Sequence, residues 1–175
     1  MNMARESLAA RLRAGDKEAA NELVDIYYEH VYFFMRRLGY NCHASEDLTQ
    51  ETFLQAWHHI GQLKEGGALN GWLYRIAANV AKMRCRDHKV LETSRLGQID
   101  VAASDKADFE KAAHYEELEK LRNAVTRLPI KLRQAIVLHY MQHLSVSEAA
   151  VAAEVREGTF KSRLNRGLKI LRNYL

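Results

Sequence analysis

The C-terminal run of the chain places Lys161, Ser162, Asn165, Arg166 and Lys169 on one side of a helix, with Phe160, Leu164, Leu168 and Leu171 on the other. Side chains of the first kind can donate hydrogen bonds to base edges while flanking cations meet phosphates. Farther up the chain, Arg75, Asn79, Lys82 and Arg86 recur at successive helical returns, a mostly basic stripe able to follow a nucleic-acid backbone. Asp47, Gln50 and Glu51 fall at i, i+3 and i+4 and form a single acid-and-amide patch. Taken by pattern alone, each of these three faces also fits an ordinary solvated helix surface.

Enzymatic chemistry finds less support. His139 and His143 are spaced to share a helix face, yet no third ligand accompanies them and no glutamate follows His139, as a zinc-binding pair with a general base requires. Cys42 beside His43, and Cys85 with His88, could suggest a reactive thiol, but single buried cysteines are commoner. There is no phosphate-binding glycine loop. The reading therefore assigns no catalytic residue, no metal site and no cofactor, and takes the protein not to be an enzyme.

The elements that must position these residues are helical. Leu23, Ile26, Tyr27, Val31, Phe34 and Leu38 recur at threes and fours, predicting a helix from Asp16 as cap to Gly39 as stop. A second helix is expected from near Ser45 to Ile60, burying Leu48, Phe53, Ala56, Trp57 and Ile60 and ending at Gly61. A third runs from about Leu69 to Leu91 over Trp72, Ile76, Val80 and Met83. Periodicity fades from Glu92 to about Ser104, and an acidic stretch follows, which reads as an interdomain linker.

Helical spacing resumes at Tyr115, Leu118, Leu121 and Val125, halts at Leu128-Pro129, and continues through Leu132, Ile136, Val137 and Tyr140. Ser145 with Glu148 three residues on is a capping box that opens a short helix over Val146 to Ala153. A turn at Glu154 to Arg156 leads into the Lys161 to Leu171 helix, giving a helix-turn-helix. No strand pattern of useful length, internal repeat or low-complexity tract occurs, so the fold class is all α: two small helical domains joined by a flexible linker.

Composition agrees with a folded protein that seeks an anion. Of 175 residues, 47% are hydrophobic and 27% charged, with one proline, which excludes a disordered or fibrous chain. The formal charge is +4 and the isoelectric point about 9.1, so the clustering of the cations matters more than their sum. The apolar runs are all too short for a membrane span, and two distant cysteines with no leader-like N-terminus fit a reducing cytoplasm.

The wording of the C-terminal segment is more specific than its pattern. Leu128-Pro129, Arg133, Leu144-Ser145, Glu148, Ala150 and the run Gly158-Thr159-Phe160-Lys161-Ser162-Arg163-Leu164 resemble region 4 of bacterial sigma factors, in its extracytoplasmic-function (group 4, sigma-70 superfamily) branch. Upstream, Glu46-Asp47-Leu48-Thr49-Gln50-Glu51-Thr52-Phe53 looks like region 2.2, and Trp72-Leu73-Tyr74-Arg75-Ile76-Ala77-Ala78-Asn79 is similar to regions 2.3 and 2.4. Two departures stand out: Met83 where the family often has an acidic residue, and Glu154 where the turn commonly has glycine. A left-handed backbone there is easier for glycine.

The resemblance implies a sigma factor that binds core RNA polymerase and directs promoter-specific initiation. Residues 1–91 would be the region 2 domain, 92–110 the acidic linker and 111–175 the region 4 domain. Asp47, Gln50 and Glu51 would dock on the β′ clamp helices, with the β subunit also in contact. Asn70, Arg75, Asn79, Lys82, Arg84 and Arg86 would meet the −10 element, and the loop Gly61 to Asn70 would hold a base flipped from the opened strand. Lys161, Ser162, Asn165 and Arg166 would read the −35 element, Arg156, Thr159 and Arg163 would mainly position its phosphates, and Gly158 belongs to the same −35-binding set. The family also implies an anti-sigma partner, cytoplasmic location and no membrane insertion. Two alternatives remain at this stage: a sigma-like decoy that sequesters an anti-sigma factor, and a helix-turn-helix regulator.

Overall fold

The computed structural model describes residues 2–63, 69–92 and 112–174, all of whose regular structure is helical. The helices are α1 (Asn2–Arg13), α2 (Lys17–Arg37), α3 (Cys42–His58), α4 (Leu69–Glu92), α5 (Ala112–Arg127), α6 (Ile130–Ile136), α7 (Val146–Ala152) and α8 (Glu157–Leu171). A 3-10 turn, Ile60–Gln62, follows α3, and a π turn, Val137–Met141, continues α6. The expected linker lies outside the described residues beyond Glu92.

Local chemistry explains the boundaries. The Asp16 carboxylate caps α2 by accepting from the Glu18 N–H at 2.9 Å. At the other end Gly39 has φ +95 and the Tyr40 N–H reaches back to the Met35 carbonyl, a Schellman turn that glycine makes cheaply. A Cβ at Gly39 would also stand 2.9 Å from Thr126 Cγ2 of the second domain. Helix α3 starts three residues before the expected Ser45, because the Asn41 side chain caps it at the Ala44 N–H. Ser45 is instead buried and donates to the Tyr40 carbonyl. α3 also ends at His58, and Gly61 falls within the 3-10 turn. Helix α1, which the periodicity did not announce, buries Leu8, Ala9 and Leu12.

Phe34, Met35, Leu38 and Leu73 are fully buried in the first domain, and Val125, Leu128, Leu138 and Phe160 in the second. Truncating either phenylalanine to alanine costs about 3–5 kcal/mol in a core of this kind. Four expected core residues lie outside: Ile26, Trp57, Met83 and Tyr140 are 47%, 40%, 55% and 50% exposed. Apolar periodicity marks a face, and these residues stand at its margins, where burial is only partial.

The two domains pack directly on each other, α4 lying along α7. Two arginines cross the seam in opposite senses: Arg37 donates to the Met141 carbonyl at 2.7 Å, and Arg133 donates to the Leu38 carbonyl at 2.5 Å. Arg133 also donates to the Thr126 and Leu128 carbonyls, so one guanidinium serves the C-terminal ends of α2 and α5, where helix dipoles favour a cation. Burial pulls its pKa below the ordinary arginine value. Gln134 Nε2 to the Ala78 carbonyl, 2.8 Å, and the Tyr74 hydroxyl to Gln142 Oε1, 2.7 Å, complete the closure.

Candidate nucleic-acid interface

Helix α8 turns Lys161, Ser162, Asn165, Arg166 and Lys169 outward, with Phe160, Leu164 and Leu171 buried below. Gly158, Thr159 and Arg156 are exposed at its start, and Arg163 is half-buried at the border between the two faces. No side chain caps this N-terminus, where Arg156 is the N-cap residue. The first N–H groups of α8 are thus left to solvent or to an anion, as at a phosphate-contacting helix end.

Helix α7 supports α8 from beneath. The Ser145 and Glu148 capping box is formed, with the Ser145 N–H donating to Glu148 Oε2 at 2.9 Å. In the turn, Glu154 takes φ +53 and the Val155 N–H reaches the Ala150 carbonyl at 3.0 Å. The left-handed turn expected of a glycine is therefore made here by a glutamate, at a steric cost of about 1–2 kcal/mol. Gly167 lets α8 close on α6: a Cβ there would lie 3.1 Å from Ile136 Cγ1.

The second stripe lies on α4. Lys82, Arg84 and Arg86 are exposed, whereas Asn70, Arg75 and Asn79 are half-buried. Of the loop expected to hold a flipped base, residues 64–68 lie outside the described residues. The stripe belongs to the same helix that packs on α7, where a Cβ added to Gly71 would lie 3.8 Å from the Glu148 carbonyl oxygen.

The third patch, on α3, proves richer than its sequence signature. Asp47, Gln50 and Glu51 are all exposed, with Gln55 donating to the Glu51 carboxylate at 2.8 Å. The buried side of α3 is made of small and polar residues, Ser45, Thr49, Thr52 and Ala56, with Leu48 beside them. Thr49 and Thr52 satisfy their hydroxyls by donating to the carbonyls four residues back, each at 2.6 Å. Leu54 and Trp57 fall on the outer face with Gln50, 58% and 40% exposed. With Val24, Tyr28 and Phe53 they line an apolar groove of about 420 Å3 that Gln50 borders. Apolar spacing had sent Trp57 inward; the backbone-bonded threonines that displace it are the sequence signal that could have corrected this.

His139 Nδ1 lies 2.9 Å from the Leu144 carbonyl, so that nitrogen carries the proton and is closed to a metal. Among the described residues no three histidine, cysteine or acidic side chains gather as a ligand set. Cys42 is exposed and Cys85 half-buried, both as free thiols. Among the described residues no helix is long and apolar enough to cross a membrane.

A helix-turn-helix domain packed on a helical domain with its own basic stripe is the architecture of a class, that of two-domain helical transcription factors. Family comparison narrows it. The family model for Sigma-70 region 2 matches residues 23–90 and that for Sigma-70 region 4 matches residues 118–171. The chain is 32% identical to the ECF RNA polymerase sigma factor SigW of Bacillus subtilis over 100% of its own length and 98% of the relative's. It is 31% identical to the ECF RNA polymerase sigma-E factor of Salmonella typhimurium, over 95% of this chain and 91% of that one. The chain belongs to the extracytoplasmic-function branch of the sigma-70 factors. In fold it is similar to CnrH in complex with the cytosolic domain of CnrY, with TM-score 0.69 and 22% identity over 96% of this chain and 94% of that one. It is likewise similar to RpoE of Bartonella quintana in complex with the anti-sigma factor NepR, with TM-score 0.72 and 22% identity over 88% and 94%.

Proposed function

We propose that this chain binds core RNA polymerase through α3 and directs it to promoters, reading the −35 element with α8 and the −10 element with α4, without catalysing a step itself. The observation that carries the docking role is the outward placement of Leu54 and Trp57 beside Asp47, Gln50 and Glu51. An apolar anchor rimmed by acidic and amide groups suits the hot-spot anatomy of a protein interface better than a solvated face does. The retained cations on both DNA-facing helices favour the active factor over a decoy. A helix-turn-helix regulator would have no use for the α3 surface.

Opening of the domain seam belongs to the mechanism. The two promoter elements are about 25 base pairs apart, roughly 85 Å along B-DNA at ~3.4 Å per base pair. A compact chain of 175 residues spans only about 40 Å. The packed arrangement is therefore a resting state, and polymerase and DNA favour a spread one. The structural relative RpoE of Bartonella quintana was solved in complex with an anti-sigma factor, and an anti-sigma partner of this chain would act by holding the domains together. The reading places the protein in the cytoplasm, where the polymerase is.

Run-off transcription with bacterial core polymerase on a library of random upstream DNA tests the proposal. Promoter-specific transcripts should appear with the protein and vanish when Gln50 and Glu51 are both changed to alanine. Core binding without transcripts would replace the active factor by the decoy.

A further inference from the structure

The seam between the domains encloses a cleft of about 290 Å3, distinct from the surfaces of α3 and α8. His30 and Arg37 of α2 and Asn70 and Tyr74 of α4 form one wall, and Gln142 and His143, which follow the π turn, form the other. Among the described residues no carboxylate lines it. Arg37 supplies a permanent cation that is held in place by its bond to the Met141 carbonyl, and its remaining N–H groups are free to turn to a ligand. His143 is fixed in a left-handed conformation, φ +56, immediately after the turn.

Two of the lining side chains carry polar atoms that are buried with no hydrogen-bond partner among the described residues: Asn70 Oδ1 and Gln142 Nε2. Leaving such groups unpaired is costly, and a native structure usually has a reason for it. Gln142 is oriented by the Tyr74 hydroxyl on its Oε1, which leaves its amide donors as the free end. Arginine, histidine and amide donors without an acidic neighbour are the chemistry of an oxyanion site. The volume, close to the lower end for small-molecule pockets, is larger than inorganic phosphate needs and too small for a folded partner.

We propose that this cleft is a binding site for a small oxyanion, a phosphate ester or polycarboxylate, held by His30 and Arg37 from one domain and by Gln142 and His143 from the other. Such a ligand touches both domains, so it binds the packed arrangement and not the spread one. By linkage, a concentration one hundred times its dissociation constant shifts the balance toward the packed state about 100-fold. The site thus couples a metabolite-sized anion to the availability of the factor for polymerase.

The test uses the full chain and needs no transcription. Citrate and inorganic phosphate are titrated calorimetrically at ionic strength held constant with sodium chloride, and amide NMR shifts are followed in parallel. Saturable one-to-one binding is expected, with shifts at His30, Arg37 and residues 141–143 together. Arg37→Ala, and separately His30→Ala, should weaken it at least tenfold; both side chains are exposed, so the variants are expected to fold, which circular dichroism checks. Shifts that sodium chloride reproduces, or that appear in one domain only, would overturn the proposal. So would binding of a short single-stranded oligonucleotide at these residues with no response to either anion, which would assign the cleft to nucleic acid.

Discussion

Arg166 and Glu154 show how differently two exposed residues of one motif can matter. Arg166 is exposed on α8, and the role proposed for it is realised only on DNA. Its replacement by alanine should weaken binding to cognate −35 DNA by about 1–3 kcal/mol and relax preference at one position. Equal loss on every duplex in a binding assay would demote it to a phosphate contact. Glu154 contributes in the opposite sense, since its φ of +53 is a conformation that side chains resist. Glu154→Gly should raise stability by about 0.5–1 kcal/mol, the relief of the left-handed strain less the entropy glycine loses on folding. Urea denaturation measures this, and a fall in the midpoint would mean that the glutamate side chain stabilises the turn in some other way.

Among the helices, α3 departs most from ordinary amphipathicity. It buries hydroxyls whose hydrogen bonds are met within the helix and leaves Leu54 and Trp57 in solvent. Changing both to alanine should reduce affinity for core polymerase at least tenfold while leaving thermal stability within about 1 kcal/mol, because exposed side chains add little to folding. Loss of fold in the double variant, seen by circular dichroism, would instead make them structural. The start and end of α2, the capping box of α7 and the two faces of α8 were legible in sequence, for each rests on bonds between residues a few positions apart. The start of α3 was not, since Asn41 and Ser45 are both competent caps and only packing chooses between them.

The domain seam is held by hydrogen bonds from arginine, glutamine and tyrosine to carbonyl and amide oxygens. Tyr74, which crosses it, and Tyr40, whose hydroxyl donates to the Ala81 carbonyl at 2.7 Å, are both pushed up to about 12 by burial. An unfolded tyrosine titrates near 10. The folded state therefore holds these protons more tightly, and their contribution is complete below about pH 10 and lost as pH rises through about 12. Stability measured by urea midpoint should fall across that interval, less steeply in Tyr74→Phe and Tyr40→Phe. Equal slopes in all three proteins would remove the tyrosines from the account.

Sequence by itself determined the helical class, most of the helix boundaries, the two family motifs and the basic faces of α4 and α8, because helix periodicity, caps and charge are local properties of the chain. Tertiary structure alone decided that Trp57 and Leu54 face outward, that Arg133 serves two helix ends in two domains, and that a cationic cleft opens where they meet. Those features arise from contacts between residues as far apart as Leu38 and Arg133. No short-range pattern encodes which distant carbonyl a buried guanidinium will find.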